Sequence, residues 1–439
     1  MKGNEMNVLH YDITKAAGDF KVLNATNGGP WHTRHTATHF RSNLEDYKAA
    51  NLRYSRNHDS NFLDVYGGPY AHDITAIFPN FDADPDDPES YDFACTDESI
   101  LTTLDADVET FFRLGQSIEH QIKKHGTLPP KDFKKWTVIC EHIIRHYNEG
   151  WADGYELGIK YWEIWNEPNL DKDDAPNKRC WGGTAAQFYD FYEIAAKHLK
   201  ARFPELKIGG PSFAHRDIAW ADAFLHEMSQ RRVPIDFFSW HAYTPKVEVI
   251  TERAAEIDEL LIKYGYGNAE SILNEWNYTN KALPYVCTLE AIHGAKGAAF
   301  VMASISAAEP TSIDMMMYYD TRISVYCGAF DYYTYKPLPT YYALKWYGEL
   351  YGFEVVRTDD TIENVYALTG VKDGKTVTIL TYYSDEDGLQ DVTVKLDYGK
   401  RGSYEIYLVD SDKGGELVQK TQDPTVTLKQ NTFVKIAEV

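Results

Sequence analysis

From about residue 20 to residue 350, short apolar runs rich in β-branched and aromatic residues alternate with stretches of helical periodicity. The strand-like runs, each ending in turn residues or a polar loop, are 20–25, 51–56, 108–114, 159–165, 207–211, 236–240, 271–274 and 312–318. Between them, Phe133, Trp136, Cys140, Ile143 and Tyr147 recur at three- or four-residue steps, as do Phe188, Phe191, Ala195, Leu199 and Phe203, which is the rhythm of helices with one apolar face. Eight strands each followed by a helix predict an α/β fold, a (β/α)8 TIM barrel over 20–350, whose active site belongs at the C-terminal ends of the strands. After Gly352 alternating strands take over, at 365–368, 376–382, 391–396, 404–408, 425–428 and 432–437, with Asp373-Gly374 and Asp387-Gly388 as turn signals. Residues 351–439 are therefore expected to form a small C-terminal β-sandwich. Residues 1–19 precede the barrel and are expected to lend that sandwich a strand.

Charge and composition narrow the chemistry. The 439 residues carry 44 Lys+Arg against 66 Asp+Glu, a formal charge of −22, which argues against a nucleic-acid binder. No apolar run approaches the ~20 residues of a bilayer span, so no membrane partner is expected. The opening Met1-Lys2-Gly3-Asn4-Glu5 lacks the apolar core of a secretory signal, and the expected location is cytoplasmic, or exported with a leader removed. The five cysteines are odd in number and widely spaced, a pattern of reduced, structural thiols. Aromatics reach 14%, with 32 Tyr and 10 Trp, and such rings suit sugar clefts because a flat face covers the C–H face of a pyranose. The acidic stretch 82–89 lacks a central glycine and is read as a solvated loop rather than a calcium site. His32, His35 and His39 invite a metal reading, but no acidic ligand lies nearby in sequence, so neither metal nor cofactor is expected.

The strongest local signal is Tyr161-Trp162-Glu163-Ile164-Trp165-Asn166-Glu167-Pro168-Asn169, where the fourth strand ends. A carboxyl there faces the barrel mouth, and burial beside rings keeps it protonated near neutral pH, as a general acid requires. The second is Ile272-Leu273-Asn274-Glu275-Trp276-Asn277 at the end of the seventh strand, 275 − 167 = 108 residues later, offering an ionised Glu to attack or stabilise an anomeric carbon. Two carboxyls at one barrel mouth are what glycoside hydrolysis needs. Glu163, four residues upstream and about 13 Å deeper at ~3.3 Å per residue, is read as a buried, paired structural group.

With both motifs in view, the chain resembles clan A of the glycoside hydrolases, and within it glycoside hydrolase family 39, the β-xylosidase and α-L-iduronidase family. The resemblance covers the barrel and implies a retaining, exo-acting glycosidase that needs no cofactor and takes an oligosaccharide or glycoside. It implies Glu167 as acid/base, Glu275 as nucleophile and Asn166 as partner of the sugar 2-hydroxyl. Trp240-His241-Ala242-Tyr243 resembles the clan's His-x-Tyr, placing His241 near the acid/base and Tyr243 against the nucleophile. Arg56-Asn57-His58 resembles its Arg-x-His, with Arg56 holding the nucleophile ionised; Arg53 competes for that place. At strand eight the clan's sugar-stacking Trp is replaced by Met317-Tyr318-Tyr319-Asp320-Thr321-Arg322, so Tyr319 is expected to stack and Asp320 or Arg322 to meet a hydroxyl or carboxylate. Trp31, in the loop after strand one, and Trp276 complete the expected substrate contacts. Other glycones (iduronide, arabinoside, galactoside or glucoside) and a non-catalytic carbohydrate-binding barrel are the alternatives; the oligomeric state is left open.

Overall fold

The computed structural model describes residues 7–30, 42–63, 67–214 and 217–439. Its centre is a closed barrel of eight parallel strands in sequential order: β1 (Val22–Asn27), β2 (Tyr54–Arg56), β3 (Glu109–Leu114), β4 (Tyr161–Ile164), β5 (Lys207–Phe213), β6 (Phe237–Tyr243), β7 (Glu270–Asn277) and β8 (Ile313–Tyr318). β8 pairs with β1 to close the ring, Met317 opposite Ala25 and Tyr318 opposite Thr26. The eight expected strands are therefore present, but several bounds move. β6 and β7 continue three residues past the expected ends at 240 and 274, because their last inward residues are polar and end the apolar run before the strand itself ends.

Successive side chains on a strand face opposite sides. On β6, Phe238, Trp240 and Ala242 join the large core between strands and helices, while Phe237 points inward; on β7, Leu273 and Trp276 face out and Ile272 faces in. The outer layer is built by amphipathic helices such as Phe133–Asn148 and Ala185–Arg202. The second is started by a capping box, in which Thr184 and Gln187 each bond the other's backbone N–H.

The C-terminal strands form two sheets. Val392–Asp397 lies between Asn7–His10 and Thr425–Leu428 in a three-stranded sheet. The second has seven strands in the order Gly414–Thr421, Tyr404–Val409, Thr432–Glu438, Lys375–Tyr382, Val365–Lys372, Glu354–Val356 and Ala16–Asp19. Leu9, Val394, Leu396, Leu380, Ile406 and Ile436 interdigitate between them. The N-terminal segment thus supplies one strand to each sheet. The strands Glu354–Val356 and Gly414–Thr421 carry no alternating apolar signal long enough to read; the second is a largely exposed edge. On the barrel side, Tyr278 donates to Asp385 Oδ1 at 2.7 Å and Asn280 Nδ2 to Asp385 Oδ2 at 2.9 Å, which ties the loop after β7 to the sandwich. Among the described residues no helix is long and apolar enough to cross a membrane.

Candidate active site

The barrel lumen changes character along its length. Its lower layer is apolar: Ala25, Phe111, Tyr161, Phe237, Ile272, Met315 and Met317 pack together with little or no exposure. Two residues further along the same strands stand Asn27, Arg113, Glu163, Ser239 and Asn274, all buried and polar. Arg56 organises this upper layer. Its Nε donates to Glu163 Oε2 at 2.7 Å, Nη1 to Glu275 Oε1 at 2.8 Å and Asn27 Oδ1 at 3.1 Å, and Nη2 to Asn166 Oδ1 at 2.6 Å and Ser212 Oγ at 2.8 Å. All five N–H donors of the guanidinium are therefore used. Burial opposes its charge, and Glu163 and Glu275 outweigh that, so its pKa is raised. Of the two competing arginines, Arg56 is the one at the mouth; Arg53 lies over the ring of Tyr351. Glu163 is fully buried and also accepts from Ser239 Oγ and Asn274 Nδ2, each at 2.5 Å, as its reading as a paired group anticipates.

Glu275 and its neighbour Asn274 both reach this layer, which strict alternation forbids. The register against β6 slips by one residue: Trp240 faces Leu273 and His241 faces Glu275, so Asn274 is the extra residue of a bulge. Trp276 then falls on the outer side, fully buried against Phe300 and Tyr318 with ring centroids 6.2 and 5.8 Å away. Its expected substrate contact is thereby corrected: once Glu275 faces the lumen, the next side chain must face the helices. Trp31, like His32, His35 and His39, lies outside the described residues.

Glu167 sits where β4 has ended and the chain turns across the mouth. Trp165 and Glu167 have φ of 72° and 45°, Asp59 and Ser212 of 50° and 60°, and the Glu167 N–H donates to Ser212 O at 2.9 Å. Left-handed conformations at non-glycine residues cost free energy and recur at functional sites. Gly28, at φ +77°, brings the loop after β1 against Arg322, where a Cβ would meet the Arg322 Cβ at 2.5 Å.

His241, fully buried, joins the two carboxylates. Its Nδ1 is 2.8 Å from Glu167 Oε1 and 3.4 Å from Glu275 Oε2, and its Nε2 is 2.8 Å from Ser212 Oγ. One atom from each of Glu167, His241 and Glu275 falls within 4.8 Å of the others, so the carboxyl groups of Glu167 and Glu275 converge. Such a trio could bind a cation, yet Arg56 already pairs with Glu275 and His241 Nδ1 already contacts both carboxyls. Tyr243 donates to Glu275 Oε2 at 2.9 Å. Burial pushes the Glu275 carboxyl up, with the Glu167 charge adding to it, against His241 and Arg56, which pull it down. His58 Nε2 lies 3.6 Å from Glu275 Oε1, and burial, with Arg56 beside it, drives the His58 pKa well below its ordinary value, so this imidazole is neutral.

These groups open onto a cavity of about 420 Å³ lined by His58, Glu167, Tyr243, Glu275, Tyr319 and Tyr326, among others. Tyr319 reaches it as expected, and Arg322 holds Tyr319 Oη at 3.1 Å and Asp320 Oδ2 at 2.8 Å. The sequence reading missed Asn27, Ser212, Asn274, Asp59 and Tyr326. Asn27 and Asn274 are small polar residues at strand ends, and only their i+2 spacing from the apolar lumen residues Ala25 and Ile272 marks them.

The profile of glycosyl hydrolases family 39 matches residues 24–273. A β-xylosidase of Geobacillus stearothermophilus is 29% identical over 196 residues, 42% of this chain and 37% of that protein, and one of Caldicellulosiruptor saccharolyticus is 31% identical over 140 residues, 32% and 26%. The match thus spans about a third of the length of these curated relatives. Among solved structures, a glucosidase from Croceicoccus marinus superposes with a TM-score of 0.78 at 22% identity over 99% of both chains. A family 39 β-xylosidase from Caulobacter crescentus does so with 0.69 at 16% identity, over 98% of this chain and 99% of that one. Both share its fold. The family profile covers more than half of the chain, which belongs to glycosyl hydrolases family 39.

Proposed function

We propose that the protein is a retaining, exo-acting glycoside hydrolase with β-xylosidase-like specificity. One observation carries the reading: an oxygen of Glu167 and one of Glu275 lie within 4.8 Å, close to the ~5–5.5 Å carboxyl spacing of retaining enzymes and well short of the ~6.5–9.5 Å that an inverting water requires. Glu275 attacks the anomeric carbon while Glu167 protonates the leaving oxygen; Glu167 then removes a proton from the water that releases the sugar. Arg56 and Tyr243, which only donate to Glu275, keep it ionised and aimed. Because Arg56 has only donors, the Asn166 oxygen must face it, and the amide N–H2 is left to bind the sugar 2-hydroxyl. His58 and Tyr319 flank the glycone, and His241 holds Glu167.

Xylose is the proposed glycone because the curated relatives at 29 and 31% identity are β-xylosidases. Glucose is the second reading, favoured by the Croceicoccus neighbour. Aryl β-D-xyloside, β-D-glucoside, β-D-galactoside, α-L-arabinoside and α-L-iduronide tested side by side decide between them, and the xyloside is expected to turn over fastest. NMR of the first-formed sugar is expected to show retained configuration; inverted product would remove the assigned roles. Turnover is expected to survive a chelator, since no step needs a metal.

A further inference from the structure

Among the described residues three carboxylates line the cavity, Glu167, Glu275 and Asp59, and the double displacement uses two of them. Asp59 follows directly on Arg56-Asn57-His58 at the end of β2. Its Oδ1 accepts from the Ile118 N–H at 3.2 Å, and its Oδ2 lies 3.4 Å from His58 Nε2, which is itself 3.6 Å from Glu275 Oε1. The two edges of the nucleophile are lined differently. Oε1 faces Arg56 and His58, with Asp59 beyond them; Oε2 faces Tyr243 and His241, with Glu167 beyond. The leaving oxygen belongs beside Glu167, which protonates it, so the hydroxyl-bearing far part of the glycone extends towards the Oε1 edge, where Asp59 stands. Contacts of 3.4 and 3.6 Å are too long to commit a His58 proton to either carboxylate. The neutral ring has one N–H. Its Nδ1 is buried with no partner among the described residues, whereas Nε2 faces two carboxylate oxygens, so Nε2 carries the proton. A carboxylate accepts about four hydrogen bonds, and Asp59 keeps lone pairs beside that N–H. An acceptor next to a donor matches a hydroxyl, which donates to Asp59 while accepting from His58.

Resting on the glycosidase reading above, we infer that Asp59 is a specificity-determining residue of the glycone site, its carboxylate accepting the proton of a ring hydroxyl beyond the 2-hydroxyl. The test pairs variants with deoxygenated substrates: the p-nitrophenyl pyranoside favoured by the aryl panel and its 3-deoxy and 4-deoxy counterparts. Asp59→Asn is the first variant, because asparagine tolerates the left-handed φ of 50° here and its amide oxygen still accepts from Ile118, while its N–H2 cannot take a hydroxyl proton. For the wild-type protein, deleting the partner hydroxyl is expected to lower kcat/KM by about 10- to 100-fold, the range of a hydrogen bond to a charged group. In Asp59→Asn the same deletion is expected to cost less than about threefold, the residual contact with His58. Deoxygenation changes the reactivity of the sugar equally in both proteins, so the ratio of the two losses reports the contact alone. Asp59→Ala, with a cooperative melt, repeats the comparison without the amide. A role confined to holding the Ile118 loop would slow all three substrates alike. Deletion losses equal to wild type in both variants, or no loss with either deoxy glycoside in the wild-type protein, overturn the assignment while turnover of the parent glycoside leaves the glycosidase reading standing. Absence of hydrolysis of every glycoside by the wild-type protein overturns both.

Discussion

The two ends of the barrel lumen are built on the same strands and by opposite means. At the lower end Phe111 stacks on Tyr161 at 5.3 Å and Phe237 packs against Phe111 at a tilt, centred 5.2 Å away, and none of the described residues of that layer is charged. At the upper end the same β4 supplies Glu163, and Arg56 is enclosed with two carboxylates at essentially zero exposure. Filling a lumen with rings stabilises through area removed from water. Filling it with ions costs desolvation that the pairing only partly offsets, so the upper end is retained for what it holds in place rather than for stability. The difference separates residues that keep the barrel closed from residues that aim Glu275.

The largest effect expected from that contrast is on chemistry. Glu275→Gln keeps the shape and the Tyr243 contact but removes the nucleophile, and kcat on an aryl glycoside is expected to fall by about 10⁴-fold or more. Glu167→Gln is expected to cost about 10²–10⁴-fold, with the loss smallest on the best leaving groups, which need the least protonation. Thermal melts of both variants should stay cooperative. Near-normal turnover by either variant would remove that residue from its role.

Next come paired substitutions at the two ends. Phe111→Ala empties part of the lower layer and is expected to cost about 3–5 kcal/mol in denaturant unfolding, with kcat and its pH profile unchanged below the melting range. Arg56→Met is expected to cost a similar ~3–5 kcal/mol because it leaves Glu163 and Glu275 buried without their cation, but it should also move the pH profile. The working Glu275 must be ionised, and its pKa is already raised by burial, so the acid limb of kcat/KM is expected above the ordinary carboxylate value of 4.5. Removing Arg56 removes one of the groups that lower it, so the limb moves to higher pH still. An unshifted limb in Arg56→Met would show that Arg56 supports the fold without tuning the nucleophile. His58, neutral already, should contribute no limb.

Much of this was legible in the chain. Short apolar runs between helical stretches mark all eight barrel strands, and Asn-Glu-Pro and Asn-Glu-Trp mark their fourth and seventh ends, because two carboxyls that each follow Asn at the end of a short apolar strand point together to one barrel mouth. What could not be read depends on register. Trp276 faces away from Glu275 because neighbours on a strand face apart, and Glu275 joins Asn274 in the lumen only through a one-residue slip that no local pattern announces. Ser212 was invisible for a different reason. A serine between a proline and a phenylalanine reads as a turn, and only the folded chain places its hydroxyl beneath Arg56.

That serine supports the smallest prediction and the finest distinction between the two ends. Arg56 Nη2 and Asn274 Nδ2, which only donate, point at Ser212 Oγ from 2.8 and 3.3 Å. Its hydroxyl donates to Asn166 Oδ1 at 3.1 Å, and His241 Nε2 stands 2.8 Å from the same oxygen. That 2.8 Å contact holds the ring with Nδ1 aimed at Glu167 Oε1. In Ser212→Ala that constraint is lost. Stability is expected to fall by about 1 kcal/mol, the ordinary cost of a lost hydrogen bond, whereas kcat/KM should fall about tenfold and the basic limb of its pH profile should shift, because the His241 ring is no longer held against the acid/base. The lower-end control of similar energetic size is Ile272→Val, costing about 0.5–1.5 kcal/mol with the pH profile untouched. Equal pH profiles in the two variants would mean that Ser212 fills space under the site and does not hold His241 in place.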